Sequence, residues 1–511
     1  MTETLLSLYA ARHPDPDKTF LETPDGKRLG YGDFDALSAR IANALGALGV
    51  RPGDRVAAQV EKSPEALALY WACLRAGAAY LPLNTAYTLA ELDYFISDAE
   101  PRLVVCRPEI RDELARTAAG RVPGCRVETL DSRGGGTLAA LAAEQGPGFA
   151  DHASGPEDLA AILYTSGTTG RSKGAMLTHR NLASNAETLK DAWRFTADDV
   201  LLHALPIYHT HGLFVATNIV LLAGASMLFL PRFDVEQVLR LLPRATAMMG
   251  VPTFYTRLLD DPRFTRDLVR HMRLFVSGSA PLLAATHQEF EARTGHAILE
   301  RYGMTETGMN SSNPYEGARI AGTVGHALPG VEIRVADPET GRELAPGEIG
   351  MIEIRGPNVF NGYWRMPEKT AGEFRPDGFF ISGDLGQFDP DTGYLRIVGR
   401  GKDLIISGGF NVYPKEIELA IDAVEGVRES AVIGLPHPDF GEGVAAVVVP
   451  EPGAALQEAD IQRALKDKLA KFKQPKRVFF VDSLPRNTMG KVQKNVLRDR
   501  YADVFEPARS S

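Results

Sequence analysis

Between Leu163 and Gly174 the chain reads Leu-Tyr-Thr-Ser-Gly-Thr-Thr-Gly-Arg-Ser-Lys-Gly, a run of hydroxyls and glycines that follows an apolar stretch and contains one lysine. Backbone N–H groups in such a loop can turn toward phosphate oxygens, and Gly167 and Gly170 permit the close approach and left-handed geometry this needs. Thr165, Ser166, Thr168 and Thr169 add hydroxyl donors. The chemistry it suits is the holding of a polyphosphate. Lys173 is preceded by Ser172 and followed by Gly174, so the loop is not of the Walker A kind. A second polar cluster, Glu300-Arg301-Tyr302-Gly303-Met304-Thr305-Glu306-Thr307, stands where a strand should end. In open α/β sheets ligands bind beyond the carboxyl ends of strands, so Tyr302 could stack on a base and Glu306 could hold Mg²⁺. Ser382-Gly383-Asp384 with Gly399-Arg400 offers a carboxylate for ribose hydroxyls and a guanidinium to reinforce it. Leu484 to Lys491 is a turn-rich segment that presents one lysine near the C-terminus.

The elements that must position these residues alternate. From Tyr31 onward short β-rich runs are followed by stretches with apolar residues at helical spacing, as in Arg55–Val60 and then Ser63–Ala76. Further runs at 103–106, 160–164, 226–230, 247–251 and 274–276 continue the pattern, which predicts parallel sheets covered by helices. After Gly325 the texture changes to short alternating strands at 331–335, 350–355 and 394–398, as in a small antiparallel β unit. Beyond Arg400 a new pattern starts: helix 414–424, strands 427–435 and 443–449, helix 458–470. The expected fold class is therefore α/β. A large N-terminal domain (1–400) holds two layered α/β subdomains and a small β-barrel-like subdomain, and a small mobile α+β domain (401–511) follows. A length of 511 residues fits a division into several domains.

Composition excludes several classes. A formal net charge of −9 argues against non-specific binding to nucleic acid, which needs clustered positive charge. Cys73, Cys106 and Cys125 are scattered and odd in number, which implies reduced thiols and no disulfide framework. Residues 1–14 carry Glu3 and no apolar core of a signal peptide. The apolar stretch 213–230 is broken by Asn218 and Gly224, so a buried helix and strand are expected rather than a membrane span. The expectation is a cytoplasmic protein with no obligate protein partner.

Taken together and in this order, the four clusters resemble the acyl- and aryl-CoA synthetases of the adenylate-forming (AMP-binding) superfamily, over nearly the whole chain from Tyr31 to Lys491. The resemblance implies ATP, Mg²⁺ and coenzyme A as reactants. It implies that the loop from Thr165 through Ser166, Gly167, Thr168, Thr169 and Gly170 to Lys173 holds the β- and γ-phosphates, and that Thr165 and Glu306 position the metal. Gly278, Ser279 and Ala280, with Glu300, Arg301, Tyr302, Gly303, Met304 and Thr305, would frame the adenine. Asp384 and Arg400 would take the ribose. Lys491, Glu306 and His209 form the implied catalytic set, Lys491 neutralising the carboxylate and α-phosphate oxygens during attack. Lys402 falls at the family's hinge position, and Ser407, Gly408 and Gly409 at the segment lining the pantetheine channel.

The acid must be read from the pocket. His209, Thr210 and His211 would line an acyl site poorly suited to a long alkyl chain, because buried polar groups need partners. Arg257 supplies a guanidinium, the natural bidentate partner of a second carboxylate, with Arg232 and Arg273 as other candidates. Ser277 and Met304 complete the expected acyl site. At finer grain the runs 206–214, 249–257, 277–283 and 301–314 look like malonyl-CoA synthetases, including bacterial enzymes that also accept methylmalonate. The resemblance thus implies malonate + ATP + CoA giving malonyl-CoA, AMP and diphosphate. The alternatives are a short- or medium-chain monocarboxylate-CoA ligase and a stand-alone enzyme loading a carrier protein. A basic group, Lys471, Lys473, Lys476 and Arg477, is a candidate for the CoA 3′-phosphate.

Overall fold

The computed structural model describes residues 4–12, 14–165, 172–408, 410–466, 468–487 and 490–505. The chain divides into two compact units, Met1–Glu332 with Ile354–Gly378, and Ile333–Glu353 with Phe379–Ser511. Segments 333–353 and 379–400, expected in the N-terminal part, therefore group with the C-terminal residues.

The first unit is built on two largely parallel sheets. In the six-stranded one, Leu103–Cys106 and Ala79–Pro82 are buried at every residue, the mark of strands covered on both faces. Its edge is an antiparallel hairpin of β1 (Leu159–Thr165) and β2 (Lys173–Thr178), in register from Leu159↔Thr178 to Thr165↔Lys173, which presents the candidate phosphate loop. The nine-stranded sheet contains β3 (Val200–His203), β4 (Ala247–Gly250), β5 (Leu274–Ser277), β6 (Leu299–Met304) and β7 (Gly308–Ser312). β3 to β6 are parallel neighbours in the order β3-β4-β5-β6, and β7 turns back antiparallel to β6. Helix α1 (His179–Ala192) leaves β2 through a capping box, with the Thr178 hydroxyl accepting from Asn181 N–H and the Asn181 side chain from Thr178 N–H. The helix Pro64–Arg75 is buried all round except at Glu65 and Arg75, as a helix between layers must be.

The apolar stretch that was expected to be a buried helix and strand is a π-helix, His211–Thr217, continuing into the α-helix Asn218–Ala223 and the strand Ser226–Phe229. Among the described residues no helix is long and apolar enough to cross a membrane.

In the second unit the expected barrel-like subdomain is an open sheet of four strands, ordered Glu332–Ala336, Gly350–Arg355, β8 (Phe380–Phe388) and β9 (Leu395–Arg400). The remainder is α+β. A five-stranded sheet, including β10 (Val427–His437) and β11 (Gly441–Pro450), buries alternate residues on two faces. Val432, Val444 and Ala446 pack under Ile417 of helix α2 (Pro414–Asp422) and under Ile461, while Ala431, Ile433 and Val447 pack against Leu484 and Leu497.

Candidate active site

Parallel pairing aligns Gly250 with Ser277 and Ser277 with Glu300, so β4 and β5 end at one level, where β6 runs on into its hairpin with β7 and carries the polar residues. Gly278 follows β5, and a Cβ there would lie 2.4 Å from the guanidinium carbon of Arg301, so glycine alone leaves that side chain its place. Ser279 takes φ +71°, a conformation a non-glycine residue adopts at a cost, and its hydroxyl sits 3.3 Å from His211 Nδ1. Glu300 is buried and accepts from Leu282 N–H at 3.2 Å. Tyr302 is buried, its hydroxyl 4.0 Å from the Met304 sulfur.

Gly303 crosses its own hairpin: a Cβ would be 2.2 Å from Gly308 O. The turn 304–308 is tied down from outside. Asn185 of α1 accepts from Met309 N–H at 3.0 Å and donates to Met309 O at 2.9 Å, and Asn358 donates to Thr307 O at 2.7 Å. Glu306, at the tip, is 6% exposed; its carbonyl accepts from Phe360 N–H and its carboxylate from the Tyr363 hydroxyl at 3.0 Å. The same tyrosine ring lies 4.4 Å beneath Lys173 Nζ, which is 3.8 Å from Glu373. One aromatic ring thus fixes two of the expected ATP-site residues, and the Thr165 hydroxyl donates to Lys173 O across the loop stem. Ser166, Gly167, Thr168, Thr169 and Gly170 lie outside the described residues.

The histidine segment runs between two small cavities that share Thr305. Tyr164, Tyr208 and His209 face one, while Thr210, Asn181 and Asn185 face the other. Burial pushes His209 down to about 4 and His211 well below the usual imidazole range, the latter helped by Arg301, so both rings are neutral near pH 7. Arg301 is 3% exposed, and burial lowers it to about 9 against the opposing pull of Tyr255 and Glu300. Its Nε and Nη2 have no hydrogen-bond partner among the described residues, nor do His211 Nε2, Thr210 Oγ1 and Ser277 Oγ. Buried polar atoms are nearly always satisfied, so Arg301 and His211, near enough for one to act on the other's charge, are candidates to meet a polar ligand. Strand alternation puts Ser277 with Glu300 on one face of the sheet and Arg301 on the other, so Ser277 is not a neighbour of Arg301 across the strand.

The arginines expected to take a second carboxylate do not converge there. Arg257 is exposed, on the side of its helix (Pro252–Leu259) away from the buried Tyr255, Leu258 and Leu259. Arg232 is also exposed, and Arg273 is used up by Asp199, at 2.6 and 2.7 Å, and by Trp193 O. Arg301 was expected to frame the adenine. Its signal in the sequence was a cation embedded between a buried strand and Tyr302, a position that solvent cannot serve.

The second unit gathers the other cluster. Asp384 of β8 is paired in register with Arg400 of β9, and the Arg400 Nε is 2.9 Å from its carboxylate. Ser382 braces it, its hydroxyl accepting from Asp384 N–H and donating to Ile352 O. Lys491 projects from a tight turn in which its N–H donates to Asn487 Oδ1 at 2.9 Å and its carbonyl accepts from Asn487 N–H. Burial, then Arg400 and Lys402, lower Lys491 to about 8 despite the pull of Asp384 and Asp403; Lys402 is likewise lowered to about 8, chiefly by burial. Arg498 already holds Asp403 at 2.6 Å, so the three cations outnumber the carboxylates left to them. Such a site suits an anion.

Ser407 is buried at the end of the strand Ile405–Ser407, and Gly408 follows at φ +60°, its N–H donating to Phe440 O; Gly409 lies outside the described residues. The C-terminal basic group is divided: Lys473 pairs with Glu416, Arg477 with Glu458, and Lys476 covers the Phe440 ring.

The family model for AMP-binding enzymes matches residues 8–364, and the one for the AMP-binding enzyme C-terminal domain matches 416–491. A feruloyl-CoA synthase of Amycolatopsis sp is 38% identical over 93% of this chain and 94% of its own. A mitochondrial malonate–CoA ligase of Mus musculus is 37% identical over 84% of this chain and 78% of its own. The crystal structure of ATP-bound MatB from Rhodopseudomonas palustris is 63% identical, with a TM-score of 0.97 over 99% of this chain and 100% of that one. Relatives of nearly equal identity act on acids as unlike as these, so the choice of acid rests on the pocket.

Proposed function

The chain belongs to the AMP-binding enzyme family and is an AMP-forming acyl-CoA synthetase, and from that premise we propose that its acid is malonate. The observation that carries this reading is Arg301: a buried guanidinium with two nitrogens unpartnered, beside a neutral His211 whose Nε2 is also open. A guanidinium buried and left so is costly unless a ligand brings a negative charge, and a planar fork matches a carboxylate. A monocarboxylate spends its only carboxylate at the α-phosphate and leaves Arg301 unanswered. Malonate has a second one.

In the first half-reaction one malonate carboxylate oxygen attacks the α-phosphorus of ATP, and the bond to the bridging oxygen breaks as diphosphate leaves. We assign Lys491 to the developing charge at the α-phosphate, and Arg400 and Asp384 to the ribose. The Thr165 hydroxyl and Glu306 carboxylate are oxygen donors of the kind that would hold Mg²⁺, which when bound would neutralise charge on the polyphosphate. In the second half-reaction the CoA thiolate attacks the carbonyl carbon of the mixed anhydride and AMP departs, the thiol proton going to solvent. We assign the pivot between the two to Lys402, which lies between the stretches matched by the two family models, and the thiol's approach to the Ser407–Gly409 segment.

Substitution tests the assignment. Arg301→Met is expected to lower kcat/KM for malonate about 100-fold, roughly 3 kcal/mol, while acetate and butyrate lose little or gain. Arg301→Lys keeps the charge but not the fork, and should recover only part of the loss. Equal losses for mono- and dicarboxylates would remove Arg301 from acid recognition.

A further inference from the structure

Lys62 is a buried cation that the reaction above does not use. It lies between the strand Arg55–Gln59 and the helix Pro64–Arg75, next to Ser63, whose hydroxyl caps that helix by accepting from Ala66 N–H. It is 8% exposed, and among the described residues no carboxylate forms an ion pair with it. Its contacts are instead His203 Nδ1 at 2.9 Å, His203 O at 2.9 Å, and the Phe229 ring 4.3 Å from Nζ.

His203 closes the logic. Its Nε2 is 2.9 Å from Gly212 O, and a carbonyl only accepts, so Nε2 carries the proton. Nδ1 must then accept, and Lys62 is the donor it accepts from. Gly212 O receives a second donor, the Thr217 hydroxyl at 3.0 Å, so side chains hold the first turn of the π-helix whose leading residue is His211. Gly212 packs closely on Pro206: a Cβ there would be 2.1 Å from Pro206 O, so no larger residue fits at this turn. Lys62, from the six-stranded sheet, thus fixes the tautomer of His203 on the nine-stranded sheet, and His203 fixes the peptide next to His211.

We propose that Lys62 is a positioning residue for acid selection, acting through His203 and Gly212 to aim His211 at the substrate. This rests on the malonate reading, with His211 and Arg301 as the acid's partners. Without Lys62, His203 Nδ1 loses its donor, and the tie from His203 Nε2 to the turn that carries His211 loses the contact that holds the ring in place.

The test is ATP–pyrophosphate exchange by the full chain with malonate and with acetate, for the unsubstituted enzyme, Lys62→Met and Lys62→Gln. Lys62→Met should raise the KM for malonate at least tenfold while the KM for ATP changes less than twofold. Lys62→Gln keeps one donor toward His203 and should fall between. Melting temperature and the ATP KM report whether each variant is folded. A malonate KM unmoved in both variants overturns the proposal. So does a parallel fall for malonate, acetate and ATP, which is a merely structural effect. If the unsubstituted enzyme shows no malonate-dependent exchange, the substrate reading fails first and takes this inference with it.

Discussion

At the scale of single residues, the enzyme's chemistry is written in buried cations with too few carboxylates. Lys491 is the clearest case, because burial and the neighbouring Arg400 and Lys402 bring it to about 8. Its ammonium form is the one that stabilises charge at the α-phosphate, so adenylation should be fullest below pH 8 and fall as pH rises through that value, with the slope of one proton. The kcat/KM profile reports the free enzyme and is where this limb should be seen. Lys491→Arg should flatten it, and a limb that stays in place would assign it to another group. The same depression disfavours the charged lysine in the folded state, so its contribution to stability improves between about pH 8 and the unfolded value. Lys491→Ala should cost adenylation about 10³-fold, roughly 4 kcal/mol, yet leave consumption of a pre-made malonyl-adenylate nearly intact. Equal loss in both half-reactions would contradict its role. Arg257 shows where residue-level reading stops. The sequence reveals a cation in an apolar neighbourhood, but which side of a helix faces a pocket depends on what packs on the other side, and here Tyr255 and Leu258 claim the interior. Arg301 was visible as a residue and expected at the adenine; that it faces away from Ser277 follows from the pairing of β5 with β6, which local sequence does not reveal.

At the scale of elements, a strand running into a loop was legible at 160–174, since an apolar run met a cluster of glycines and hydroxyls, whereas the return strand Lys173–Thr178 was not read. The helix after Thr178 was not read either, while the one after Ser63 was legible from its apolar spacing. Long-range order was not. Nothing local tells that Tyr363 joins Lys173 to Glu306, or that Lys62 meets His203, since each contact links segments more than fifty residues apart. The four-stranded sheet was expected to be barrel-like because short alternating strands and turns look the same whether or not the edges close. The pivot assigned to Lys402 makes its own prediction. Lys402→Pro fixes φ where the two half-reactions are proposed to need different backbone angles, and should slow thioester formation more than adenylation. Single-turnover measurement of each half-reaction checks this, and an equal effect on both removes the assignment.

At the scale of the whole molecule, the compact units divide the labour. The first holds the orphaned polar atoms around Arg301 and His211, and the second holds Asp384, Arg400, Lys402 and Lys491. Fold alone leaves the acid open, since feruloyl- and malonate-specific relatives share it. The central claim is that this enzyme adenylates a dicarboxylate, and the most direct measurement is ATP–pyrophosphate exchange across acetate, butyrate, benzoate, malonate and methylmalonate. Malonate should give the highest kcat/KM, with methylmalonate following and the monocarboxylates at least about 100-fold lower, the range expected for an unanswered buried guanidinium. Exchange supported by a monocarboxylate and absent with malonate would contradict it.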